Sequence, residues 1–124
     1  MIYLGDKNIK NIDLNWEENI RAIELATECI KDKDIAQPIK PYLRYRDLKN
    51  RIIAMPAFVG GDVNKSGIKW IASFPENIKK GIARAHSVIV LNNPETGEPI
   101  SIINSGSISA IRTCLLYTSD AADD

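Results

Sequence analysis

A chain of 124 residues can make one small domain and not two, and sixteen Lys and Arg against sixteen Asp and Glu leave a formal net charge of zero. No general field therefore draws it to nucleic acid or to an anionic membrane, and no apolar run approaches the ~20 residues that cross a bilayer. The N-terminus MIYLGDKNIK lacks a signal-peptide pattern, and the two cysteines, Cys29 and Cys114, show no metal-ligand spacing, so the expectation is a cytoplasmic protein with reduced thiols and no metal site.

Met1–Leu4 can form a short strand. Asn15 is a good helix N-cap, and Glu18 three positions on can complete a capping box. Trp16, Ile20, Ile23 and Ile30, with Leu25 and Ala26 beside them, recur at helical spacing and give one apolar face. Lys31-Asp32-Lys33-Asp34 ends that helix in water. Pro38 and Pro41 forbid a helix next, so Ile39–Arg46 reads as an extended edge strand, with Lys40 and Arg44 on one face. Asp47–Asn50 supplies turn residues, and Arg51–Met55 a second strand. A loop from Gly60 to Gly67 leads to a third strand, Ile68–Ala72. Pro75 opens a short polar helical stretch to Lys80. Ser87–Leu91 and Pro99–Ile103 flank a hairpin loop, Asn92–Glu98. Ser105–Thr113 looks like a turn entering a helix, with Ser107 or Ser109 as caps. One helix followed by hairpin-linked strands predicts an α+β domain over residues 1–113.

The last stretch, Cys114–Asp124, continues no clear apolar face. Read back into DNA it resembles a translated transposase-type adapter from sequencing-library preparation, so residues 114–124 are set aside as non-native.

Three ordered segments carry a family likeness: Gln37-Pro38-Ile39-Lys40-Pro41-Tyr42-Leu43-Arg44; Arg51-Ile52-Ile53-Ala54-Met55-Pro56 leading to Gly67-Ile68-Lys69-Trp70; and Gly97-Glu98-Pro99 followed by Ser107-Ile108-Ser109-Ala110-Ile111-Arg112-Thr113. Their order and spacing resemble the N-terminal part of the ornithine cyclodeaminase/mu-crystallin family across Met1–Thr113. The resemblance implies a partial substrate-binding and dimerisation domain of a two-domain, NAD-dependent amino-acid dehydrogenase that works as a homodimer on a small-molecule substrate. The Rossmann domain would lie beyond Thr113, and this chain contains no G-x-G-x-x-G. Alone it should bind NAD poorly and catalyse nothing.

The same resemblance assigns roles. A lysine in an apolar strand usually faces solvent, but Lys69 falls where the family has its active-site lysine, to hold a substrate carboxylate or to assist proton transfer. Arg112 falls at the carboxylate-binding arginine, beside the cofactor, at the start of the helix leading to the missing domain. Thr113 would lie near cofactor phosphate at that helix start. Lys40 matches a further basic substrate contact, whereas Arg44 reads as a surface residue. Arg84 stands where ornithine-cyclising members have a cofactor-contacting threonine; it would pair with pyrophosphate or face solvent. Those members also place an acid on the strand before Met-Pro for the ornithine ammonium, and Arg51–Ala54 has none. Three cations suit a substrate with several carboxylates, such as a glutamate conjugate, oxidised at its glutamyl Cα to an imine that water then hydrolyses. His86, the single histidine, and Gly60-Gly61 read as structural, and Trp16 and Trp70 as packing residues. The rivals are ornithine cyclisation, imino-acid or ketimine reduction, and a non-enzymatic small-molecule-binding protein.

Overall fold

The computed structural model describes residues 1–13 and 15–122; the end of the set-aside stretch, Asp123-Asp124, lies outside them. The chain runs β1 (Ile2–Leu4), α1 (Asp6–Lys10), α2 (Trp16–Lys31), β2 (Ile35–Ala36), β3 (Tyr42–Leu43), β4 (Arg51–Val59), β5 (Lys65–Ser73), a 3-10 turn (Pro75–Lys80), β6 (Ala85–Asn92), β7 (Pro99–Asn104) and α3 (Gly106–Ala122). The strands form one sheet in the order β1-β7-β6-β5-β4-β2, with β3 also on β4. β4, β5, β6 and β7 pair antiparallel as successive hairpins, and β1 closes the far edge parallel to β7. Helices and strands are mixed, as the pattern predicts. Among the described residues no helix is long and apolar enough to cross a membrane.

Local signals explain most elements. Asn15 caps α2, its side-chain oxygen accepting the Glu18 N–H at 3.2 Å. The five-residue α1 was not anticipated: it is below the length that nucleates alone. Gly5 N–H donates to Asn8 Oδ1 at 2.9 Å, and Lys10 pairs with Asp6 at 2.7 Å. The 3-10 turn opens on Pro75 and ends at Gly81, whose φ of +68° suits a residue without Cβ.

Three expectations are corrected. The strand expected over Ile39–Arg46 shrinks to Tyr42–Leu43, because Pro38 and Pro41 have no N–H for a ladder. β2 and β3 share one edge of β4, and Pro56 falls between their pairings, where a missing N–H breaks no ladder bond. The expected Gly60–Gly67 loop is a tighter turn, since β5 already begins at Lys65. Gly67 lies in that strand because a Cβ there would run into the Val90 carbonyl. Finally, α3 starts at Gly106, so Ser107 and Ser109 are inside the helix and do not cap it.

The interior is thin. Among the described residues, Ile9, Cys29 and Ile53 are its buried apolar side chains, joined by Ser87, Ser101 and Ser105. Cys29 turns inward on α2, and its thiol donates to the Gly60 carbonyl at 3.3 Å. Burial, then the Asp34 charge, raises its pKa, which keeps that donor protonated. Asp34 ties the same turn from its other side, accepting the Gly61 N–H at 2.8 Å. Trp16 and Trp70, expected to pack, are 50% and 44% exposed. Among the described residues, Trp16, Ile20 and Ile30 on α2 and Trp70 and Val88 on the sheet thus stay exposed.

Candidate active site

Lys69 sits at the centre of β5, paired across the sheet with Met55 on β4 and Ile89 on β6, and Ile89 with Ile103 on β7. Directly paired residues share a face, so its stem lies along an apolar row. That row floors an open hollow of about 230 Å³ lined by Met55, Ala57, Gly67, Lys69, Ile89 and Leu91. The Lys69 ammonium donates to Ser109 Oγ on α3 at 3.2 Å. Burial lowers its pKa below the ordinary lysine value, and the positive charges of Lys40 and Arg112 lower it further.

Those two charges reach Lys69 by separate routes. Lys40 sits between the two prolines of the segment joining β2 to β3. The next residue docks on β4, where the Ala54 N–H donates to the Pro41 carbonyl at 3.2 Å. Ala54 precedes Met55, the partner of Lys69, which brings Lys40 into range. Arg112 is three residues beyond Ser109 on α3 and hence on the same helix face. Both head groups are exposed. The fold therefore gathers Lys40, Lys69 and Arg112 into one cationic cluster over an apolar floor. Such a cluster suits carboxylates, and the lowered Lys69 pKa makes its proton easier to release than an ordinary lysine's.

Two other candidates lie elsewhere or differ in setting. Arg84 is exposed at the bend before β6, its carbonyl accepting the Phe74 N–H at 2.8 Å. The adjacent Ala85 pairs with Ser73, four residues along β5 from Lys69 and so about 13 Å away. Thr113 and Arg112 are in the second turn of α3, not at its start. The Thr113 hydroxyl donates to the Ser109 carbonyl at 2.9 Å, and main-chain N–H groups at that depth are used by the helix ladder. Thr113 is therefore not at the helix start, and its main-chain N–H is engaged within the helix. Arg44 is engaged locally, donating to the Leu48 carbonyl at 2.8 Å and lying over the Tyr42 ring. It reads as a surface residue, as expected.

Sequence reasoning missed Ser109. Its spacing of three from Arg112 was the available signal, hidden because serine just inside a helix resembles a cap. At the N-terminus of α3, Ser105-Gly106, the Ser105 hydroxyl is engaged with Ser87 on β6.

The profile of the ornithine cyclodeaminase/mu-crystallin family matches residues 7–116. N-((2S)-2-amino-2-carboxyethyl)-L-glutamate dehydrogenase of Staphylococcus aureus is 41% identical over 91% of this chain and 35% of its own length. The structure of Thermococcus litoralis Delta(1)-pyrroline-2-carboxylate reductase, in complex with NADH and L-proline, superposes with a TM-score of 0.85 at 25% identity, covering 94% of this chain and 36% of that one. An archaeal alanine dehydrogenase dimer with bound NAD gives 0.82 at 28% identity, over 93% and 34%. The chain spans about a third of the length of these relatives. Its fold is that of their N-terminal part. This chain belongs to the ornithine cyclodeaminase/mu-crystallin family.

Proposed function

We propose that the chain supplies the substrate-binding part of an NAD-dependent amino-acid dehydrogenase acting on N-((2S)-2-amino-2-carboxyethyl)-L-glutamate, or a close polycarboxylate relative. The observation that carries this is the cluster of Lys40, Lys69 and Arg112 over the apolar hollow. The glutamate conjugate bears three carboxylates, and three cations can each take one. A hydrogen bond to a charged group is worth about 1.5–3 kcal/mol, so the match is large enough to set specificity. Ornithine brings a second ammonium, which this cluster repels, and the strand segment Arg51–Ala54 offers no acid to receive it. The 41% identity to the Staphylococcus aureus enzyme supports the same substrate.

In this reading Lys40 and Arg112 hold the outer carboxylates. Lys69, half-buried with a lowered pKa, holds the carboxylate nearest the glutamyl Cα and can exchange a proton at the reacting nitrogen. The apolar floor of Met55 and Ile89 keeps water from the stem of Lys69 and strengthens these contacts. The nicotinamide cofactor, when bound, supplies the hydride acceptor. The remainder of the gene product would hold it, with Arg112 at the edge nearest the substrate; Arg84 and Thr113 are left as secondary candidates for its phosphates. The products are 2-oxoglutarate and 2,3-diaminopropionate. Residues 114–124 are read as adapter-derived, so the native chain would continue from Thr113 into the cofactor domain. The protein would act as a homodimer, and exposed Trp70 and Val88 on the opposite sheet face are suitable surface for a second copy.

The full gene product, given NAD and each amino acid in turn, should produce NADH with the conjugate and little with ornithine; preference for ornithine would overturn the reading. A second reading, reduction of a cyclic imino acid, follows from the likeness to the Thermococcus litoralis reductase. Its single carboxylate would leave two of the three cations unused. Faster NADH oxidation with Delta(1)-pyrroline-2-carboxylate than NAD reduction with the conjugate would favour it.

A further inference from the structure

We propose that Ser109 is the positioning residue for Lys69, and that a buried serine pair fixes the start of α3 so that Ser109 arrives in place. The proposal rests on the assignment of Lys69 to the substrate site above.

Lys69 projects from the middle of a strand on a flexible four-carbon stem, and its cross-strand partners Met55 and Ile89 offer its ammonium no acceptor. Ser109, forty residues away in sequence, supplies one at 3.2 Å. Ser109 is itself held at both ends: its N–H donates to the Ser105 carbonyl at 2.8 Å, and its carbonyl accepts the Thr113 hydroxyl at 2.9 Å. Ser105 is 0% exposed, and it is clamped twice to β6. Its hydroxyl donates to Ser87 Oγ at 2.9 Å and its N–H to the Ser87 carbonyl at 3.0 Å. Ser87 and Lys69 are on adjacent strands of one sheet, Ile71 pairing with Ser87 and Ile89 with Lys69. The contacts thus close a ring: β5 to β6 by the ladder, β6 to α3 through Ser87 and Ser105, and α3 back to β5 through Ser109.

The chemistry of the acceptor fits the proposed substrate. A carboxylate in place of Ser109 would neutralise Lys69 and compete with an incoming carboxylate. A hydroxyl orients the ammonium, leaves its charge intact, and leaves its remaining N–H groups for the substrate. The charged groups around Lys69 are Lys40, from the segment before β3, and Arg112, from α3, both of the same sign.

Ser109→Ala and Ser109→Thr in the full gene product test this. Alanine is the strongest helix former, so the first variant does not weaken α3. Ser109→Ala should lower kcat/KM by about ten- to a hundred-fold, the loss of one charge-assisted hydrogen bond. It should also move the Lys69 13Cε titration midpoint downward, because an acceptor that favours the ammonium is gone. Ser109→Thr, which keeps the hydroxyl, should restore both. An unchanged titration in Ser109→Ala, or a threonine variant that behaves like alanine, overturns the proposal. If the wild type turns over none of the amino acids tried, the functional reading falls, and the Lys69 titration still decides the role of Ser109.

Discussion

Replacing Lys69 with methionine should stabilise the fold and disable the site at once. Lys69 has a lowered pKa despite its bond to Ser109, so its charge is worse off in the folded chain than in water. The sign follows: the folded state gives up this proton more readily than the unfolded chain, so stability is least where both are protonated. It rises with pH through the window between the lowered pKa and the ordinary value of 10.5. Methionine keeps the unbranched stem, lies along the Met55–Ile89–Ile103 row, and removes the charge. Transfer of one more methyl group into the hollow is worth about 0.8 kcal/mol, before any gain from removing like-charge repulsion. For a domain of this size that is a rise in Tm of about 3–5 °C. The same variant loses a charge-assisted contact to substrate, which lowers kcat/KM by about ten- to a hundred-fold for binding alone. Thermal unfolding at neutral pH and low salt, paired with initial-rate kinetics, reads both effects. A fall in Tm would refute the reasoning about Lys69, and near-wild-type turnover would refute its role. The pH dependence adds an independent check, since the stability gain of the variant should shrink as pH rises toward the ordinary lysine value.

The junction between α2 and the β4–β5 turn makes a sharper stability prediction. A Cβ at Gly60 would run into the Asp34 carboxylate, so Gly60→Ala should cost about 1–3 kcal/mol in urea unfolding, and less in an Asp34→Ala background. Additive effects would show that the two do not meet. Ser105→Ala leaves the buried Ser87 hydroxyl without its partner and should cost about 1–3 kcal/mol, while the double alanine variant recovers part of that loss. An equal loss in both would mean that the hydrogen bond carries none of it. Asn15→Ala removes the α2 cap and should cost about 1 kcal/mol, seen as a lower unfolding midpoint; no change would mean that the start of α2 is held by other contacts.

How much of this was legible depended on how local each signal is. The α2 cap at Asn15, the apolar runs in β4 to β7 and the Asn93–Glu98 turn are short-range patterns that formed in the predicted places, although β4 runs on past Met55 to Val59 and β5 begins at Lys65, before Ile68. The parallel pairing of β1 with β7 joins residues about a hundred positions apart, and no local pattern encodes it. β2 and β3 are two residues each, too short for a period to show. The apolar face of α2 was visible as a stripe, but which part is covered depends on neighbours: Cys29 is buried, and Trp16 and Ile30 are not. At the site, family resemblance singled out Lys69, Lys40 and Arg112, and strand register and helix spacing explain how the charges of Lys40 and Arg112 come to act on Lys69. Lys40 was expected on a regular strand with Arg44; instead Pro38 and Pro41 hold it in an irregular segment docked on Ala54. Ser109 stayed hidden because its partner is on another element.

In the proposed site, Lys40, Lys69 and Arg112 grip the carboxylates of the substrate. A crystal structure of the full gene product with N-((2S)-2-amino-2-carboxyethyl)-L-glutamate tests that most directly. Carboxylate oxygens within about 3 Å of the Lys40 and Lys69 ammonium groups and the Arg112 guanidinium are the predicted result. A substrate bound with its carboxylates turned away from this cluster, or seated elsewhere on the protein, would contradict it.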